Sequence, residues 1–221
     1  MLNFQNDVSQ IGGWLTKSEG EFLYDIARGM AHNLSLIEIG SWKGRSTICL
    51  GKGSIDGNNA PIYAIDPHTG SSEHRKAFGI VDTFEQFKTN IKNAGIESHI
   101  RVMKMTSKGA SSGVSRNVGF VFVDGAHEYE FVALDYHLWF PKLGIGRLMA
   151  FHDCWHAPGV HWFTAKLLLT SNQVRHPRLL DTLTIVEKVE QNTPTERVGN
   201  ALFVLYRFFI GWIGTIKINF F

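Results

Sequence analysis

Cysteine is scarce in this chain. The two present, Cys49 and Cys154, lie far apart. That excludes a metal finger and a disulfide framework, and predicts free thiols in a reducing, cytoplasmic compartment. Charge of one sign is also missing: 22 Lys and Arg stand against 20 Asp and Glu, for a net charge of +2. No basic stripe interleaved with aromatics is present, so nucleic acid is not an expected partner. The N-terminal MLNFQNDVSQ lacks the basic-then-apolar pattern of a signal peptide. A membrane span needs about 20 apolar residues. The apolar ending, residues 210–221, holds Lys217, and Arg207 interrupts the run before it. Internal repeats and low-complexity linkers are absent too.

Hydrophobic residues make up 44% of the 221 residues, enough for a large core in one domain over residues 1–221. Residues 1–35 read as an N-terminal helical segment. Residues 210–221 read as an apolar tail whose role the sequence does not state. It suits a docking strand or a homo-oligomer surface better than a membrane.

The chain is organised around LIEIGSWKGRSTICL, residues 36–50. A short, apolar, β-branched run ends at Gly40 and reads as a buried strand. Small and apolar residues from Arg45 onward fit a helix. Strand, glycine turn and helix open a Rossmann-like unit, with Gly40 letting a ligand approach the backbone. Glu38 lies inside the strand, where a carboxylate is costly unless something pairs with it. The glycine spacing lacks the G-x-G-x-x-G that cradles a dinucleotide pyrophosphate. Here it is Gly40-x-x-x-Gly44, and Thr47 stands where a further Gly or Ala would be needed.

Further apolar runs end in acids. Residues 61–66 form a second strand ending at Asp66, placed to accept hydrogen bonds from ribose hydroxyls; a loop turn or helix cap is the lesser alternative. Residues 100–105 form a third strand, followed by Thr106-Ser107 where an adenine edge would lie. Residues 119–124 form a fourth, ending at Asp124, which a helix N-cap would also explain. Residues 147–151 form a fifth, ending at His152-Asp153. Ligands in open α/β sheets bind at these strand ends. Helices are expected over 82–94, 128–140 and 162–169, and before the first strand, where Ser18 and Glu21 have the form of a capping box. Residues 69–81 read as a long loop, with His74 and Arg75 as a solvated charge cluster. Residues 108–115 are weakly helical at best, and 1–10 a loose entry. Trp14 could border the ligand mouth. His156 and His161 read as structural. Residues 180–189 and 201–209 read as strands, an antiparallel pair completing the sheet.

The string E-x-G-x-x-x-G-x-S at residues 38–46 resembles the first motif of class I S-adenosylmethionine-dependent methyltransferases, and Pro67-His68 continues the resemblance. FVDGAHEYEFVALDYHLWFPKLGIGRLMAFHD, residues 122–153, resembles a bacterial subfamily of them with D-x-x-H-x-Y after strand four and H-D after strand five. GWLTKSEGEFLYDIAR, residues 13–28, resembles it as well. The resemblance implies a Rossmann-like α/β fold with a seven-stranded, mostly parallel sheet and helices on both faces. It implies S-adenosylmethionine held by Glu38, Gly40, Ser41, Gly44, Ser46, Asp66, Pro67, Ser107 and Asp124, and methyl transfer to a hydroxyl of a small molecule or sugar.

The acceptor must lose its proton, and two routes are open. His127 or His152 would act as general base. Alternatively Asp124, His152 and Asp153 would hold a divalent metal, magnesium or manganese, that lowers the hydroxyl's pKa. Related metal-dependent O-methyltransferases place ligands at the ends of strands four and five, usually with Asp-Asp or Asp-Asn as the second pair, so His152-Asp153 is a departure. A nicotinamide-dependent oxidoreductase on the same fold, and a module that binds S-adenosylmethionine without catalysis, are the competing readings.

Overall fold

The computed structural model of the chain describes residues 2–114 and 117–218. Seven strands form one sheet in the order β3-β2-β1-β4-β5-β7-β6. They are β1 (Ser35–Ile39), β2 (Ile62–Ile65), β3 (Ile100–Met103), β4 (Val118–Val123), β5 (Leu143–Phe151), β6 (Val174–Leu180) and β7 (Leu183–Lys188). The first five pair in parallel, while β7 runs antiparallel to both β5 and β6. Parallel strands covered on both faces read as unbroken apolar runs, and β1 and β4 are buried along their whole length.

Alternate side chains feed two cores. Leu36, Phe120 and Phe122 face α2 (Lys17–Arg28), α3 (Arg45–Asp56) and α5 (Phe84–Asn93). Ile37, Ile39, Val121 and Val123 face α7 (Tyr129–Trp139) and α8 (Pro158–Thr170). Shorter helices are α1 (Phe4–Asp7), α4 (Ser72–Phe78) and α6 (Ser107–Ser111), and α9 (Pro194–Ile218) ends the described chain. Both cysteines are free and buried. Among the described residues no helix is long and apolar enough to cross a membrane.

Several elements correct the sequence reading. The antiparallel pair is the hairpin β6–β7, turning at Asp181 and Thr182, and residues 201–209 belong to helix α9. Unbroken apolarity does not separate a buried strand from a helix; the deciding signal was Thr193-Pro194-x-Glu196. Glu196 accepts from the Thr193 N–H at 2.7 Å while the Glu196 N–H donates to the Thr193 hydroxyl at 3.2 Å, a capping box with proline at the first helical position. The same logic shifts the N-terminal box: Thr16 and Glu19 cap α2, not Ser18 and Glu21. Residues 69–81 are not a continuous loop, because Ser71 caps α4. The entry segment contains α1, and α6 begins at Ser107. Of the calls on 108–115 and 210–221, residues 115 and 219–221 lie outside the described residues.

The chain leaves β1 toward β2 and later returns on its other side as β4. Between β1 and β4 the sheet therefore opens a crevice at its carboxyl edge, the switch point where such sheets bind ligands. Gly40 and Asp124 stand at its two lips.

Candidate active site

Gly40 follows β1 with φ +87°, a backbone that only glycine adopts cheaply. A Cβ there would overlap the carbonyl of Asp124. Its N–H donates to Ile65 O at 2.9 Å, and the Asp124 N–H donates to Ile39 O at 2.8 Å. The floor of the crevice is thus main chain knitted between three strand ends.

Glu38 lies beneath this turn, fully buried. Its Oε2 accepts from the Ser41 hydroxyl at 2.8 Å and the Thr47 hydroxyl at 2.6 Å, while Oε1 has no protein partner. Burial pushes its pKa up to about 7 against the hydroxyls that oppose the shift. Glu38 and Gly44 reach neither cavity described below; they shape the turn from under it. A folded-state pKa above the unfolded value means that the native protein holds this proton more tightly. The associated stability is complete below pH 4.5 and is lost as pH rises toward 7. Glu38→Gln should therefore remove a fall of about 3 kcal/mol between those limits. Urea unfolding of the ligand-free protein across that window, wild type against variant, checks it; parallel curves would refute it.

Two cavities open at the carboxyl edge. The smaller, about 450 Å³, runs from Gly40 past Asp66 and Pro67 to Ser107 and Asp135. Asp66 accepts from the Trp42 N–H at 2.8 Å and the His68 N–H at 2.6 Å, so it braces a turn and also lines the cavity. Asp135, buried on α7, has its pKa raised to about 6 by burial despite the Ser107 hydroxyl. The sequence reading missed it because an acid in mid-helix reads as solvated.

The larger cavity, about 660 Å³, is lined by Trp14, Ser41, Ser46, His127, His152, Asp153 and His156 among others. The two meet at Gly40, Trp42, His74, Asp124 and Gly125. His74 corrects the reading of a solvated cluster: its ring stacks on Trp42 at 4.2 Å, with Trp14 5.5 Å away. Arg75 lines the smaller cavity and donates to Gly70 O at 2.6 Å. His161 is structural, set against Cys154 O and Arg207.

His152 is buried at the end of β5. Its Nε2 meets Glu19 Oε2 at 3.2 Å. Its Nδ1 lies 3.0 Å from Asp124 and 3.3 Å from Asp153, aligned for a hydrogen bond with neither. Burial opposes a charge on this ring, but Asp124, Asp153 and Glu19 outweigh it and hold the imidazolium far above its ordinary range. His127, 3.5 Å from Asp153, keeps its place on the cavity wall. Asp124 is not a helix cap, since Glu128 holds that position for α7. Asp153 takes left-handed backbone, φ 58°, which in a non-glycine residue marks a position imposed by its surroundings.

Glu19 is the second acid that the sequence did not reveal. Oε1 accepts from the Thr182 N–H at 2.8 Å and hydroxyl at 2.7 Å, and Oε2 from the Thr16 N–H at 2.9 Å as well as facing His152. These contacts hold its pKa down at about 2 although burial works against them. The only sequence signal was its place in the capping box.

A family described as a methyltransferase domain matches residues 37–154, and the chain belongs to it. Solved structures share the fold. A protein from Corynebacterium glutamicum is 18% identical with a TM-score of 0.59, over 83% of this chain and 85% of that one. The O-methyltransferase TomG of Streptomyces achromogenes, involved in tomaymycin synthesis and solved with S-adenosylmethionine, is 16% identical with a TM-score of 0.58, over 84% and 85%. An O-methyltransferase from Bacillus cereus, solved with S-adenosylhomocysteine, is 15% identical with a TM-score of 0.59, over 82% and 86%.

Proposed function

We propose that the chain transfers a methyl group from S-adenosylmethionine to a hydroxyl of a small molecule, with a divalent metal at the acceptor end. The observation that carries this is the junction at Asp124: one carboxylate faces both cavities, with Asp66 at the far end of one and the His152-Asp153 pair in the other. The smaller cavity suits the nucleoside. Asp66 keeps lone pairs for ribose hydroxyls, Pro67 and Ser107 flank the adenine, and Gly40 leaves room for the amino acid end. The absence of a pyrophosphate cradle at Gly40–Gly44 disfavours a nicotinamide cofactor.

Asp124, His152 and Asp153 fit a metal. They offer two carboxylate oxygens and, once a metal displaces the Nδ1 proton of the His152 imidazolium, one nitrogen, all within 4.8 Å of one another. The Nδ1 of His152 is turned to that point without an aligned partner, and Glu19 fixes the ring from behind through Nε2. A carboxylate behind a ligating histidine sets its tautomer and orientation. The mixed set favours manganese over magnesium, which prefers oxygen alone. When bound, the metal would lower the pKa of a nearby hydroxyl. The D-x-x-H-x-Y string then has a use for its histidine: His127 takes the proton. The new O–CH₃ bond forms as the S–CH₃ bond breaks, and the sulfonium leaves as a neutral thioether. Alignment of donor and acceptor across the Asp124 junction contributes roughly 7–11 kcal/mol.

Calorimetry with S-adenosylhomocysteine tests the assignment. Asp66→Ala should weaken binding by roughly 1–3 kcal/mol. Chelation should leave that affinity in place while removing turnover, which added manganese restores. An unchanged Asp66→Ala affinity would overturn the cofactor placement, and full turnover in excess chelator would leave His127 alone as the proton acceptor.

A further inference from the structure

Helix α9 is built inside out. The residues it turns to the body of the protein include buried polar ones: Asn200 and Arg207 are buried beside Val204, while Phe203 packs against the core. Asn200 donates to Val174 O of β6 at 2.8 Å, and Glu196 meets Arg175 of the same strand at 2.9 Å. Arg207 donates to the hydroxyls of Thr164 and Thr184 at 2.9 and 3.1 Å. The residues it turns outward are apolar. Val198, Leu202, Leu205 and Phe209 are 59–64% exposed. Their intervals are four, three and four residues, and the sequence repeats the alternation at Trp212 and Ile216.

A spacing of alternating three and four is the heptad seam of two helices packed on each other. A helix lying on a membrane instead carries Lys and Arg along its polar face. In α9 the cations are Arg197, Arg207 and Lys217, and Arg207 is spent inward. We propose that this seam is the interface of a homodimer, in which α9 of one copy packs against α9 of a second. Tyr206 and, from α8, Trp162 flank the seam and are also more than half exposed. Each of these side chains leaves roughly 100 Å² to cover, so two copies would bury on the order of 1,200 Å², where stable interfaces begin. The cavities lie at the carboxyl edge of the sheet and share no residue with the seam, so pairing leaves them open.

Light scattering coupled to size exclusion tests this on the full chain at micromolar concentration. The wild type should run as a dimer. Leu202→Glu/Leu205→Glu should run as a monomer with unchanged melting temperature and unchanged affinity for S-adenosylhomocysteine. A Leu202→Glu/Leu205→Glu copy mixed with a Leu202→Lys/Leu205→Lys copy should recover a heterodimer, which misfolded chains would not do. A monomeric wild type, a dimer that survives the double substitution, or a failure of the mixed copies to pair would each overturn the proposal. So would a monomer that cosediments with vesicles of anionic phospholipid through the same leucines, since the seam would then be a lipid surface.

Discussion

Asp124→Asn is expected to lower methyl transfer on the order of a hundred- to a thousandfold, the range for removing one well-placed charge from a water-poor site. The substitution keeps the shape of the side chain and alters only its charge and one of its oxygens. Among the described residues Asp124 is the one acid that lines both cavities, and its Oδ1 lies 3.0 Å from His152 Nδ1. Losing its charge weakens the proposed ligand set. It also leaves the buried His152 with less negative charge around it. The rate is read as release of S-adenosylhomocysteine with any hydroxyl acceptor that the wild type turns over. Manganese binding, followed by paramagnetic resonance, should fall in parallel. A variant that binds manganese and turns over as the wild type does would remove Asp124 from the chemistry.

The second large effect concerns stability. Glu19→Ala should destabilise the fold by about 3–5 kcal/mol, the usual result of removing one partner from a buried charged pair. Glu19 ties three parts of the chain together: the start of α2, the end of β5 through His152, and the β6–β7 turn through Thr182. Alanine strands the Thr182 N–H and the His152 Nε2–H together. For a chain of this size the melting temperature should drop on the order of 10 °C. Glu19→Gln keeps an acceptor for Thr182 and should lose less. A Glu19→Ala protein that melts with the wild type would show that the network adds nothing to the fold.

The contrast between Glu19 and Asp66 shows what the sequence made legible. Strands buried on both faces are spelled as apolar runs, so an acid at the end of one stands out, and Asp66, Asp124 and Asp153 were readable for that reason. An acid in the first turn of an amphipathic helix looks like ordinary macrodipole complementation. The sequence reading therefore passed over Glu19, whose partners beyond its own cap come from His152 and from a turn 163 residues away. Asp135 was hidden in the same way. Helix α4 was lost because a seven-residue polar helix carries no periodicity to read; its cap and its stacking on Trp42 hold it, not its propensity. Helix α9 was misread because its apolar residues face outward, against the rule that apolar means inside.

The floor of the crevice has a consequence of a different kind. It is made of peptide groups: Gly40 N–H on Ile65, Asp124 N–H on Ile39, and His152 N–H on Val123 at 3.0 Å. Apart from Gly40, where a side chain would meet the Asp124 carbonyl, these groups are common to every sequence, so drift in the surrounding side chains does not erode them. The walls, by contrast, include loops and short helices such as α4, which contribute no strand to the sheet. A lineage can then trade one acceptor for another by rewriting the walls over an inherited floor. Chains as little as 15–18% identical to this one can accordingly keep the same architecture.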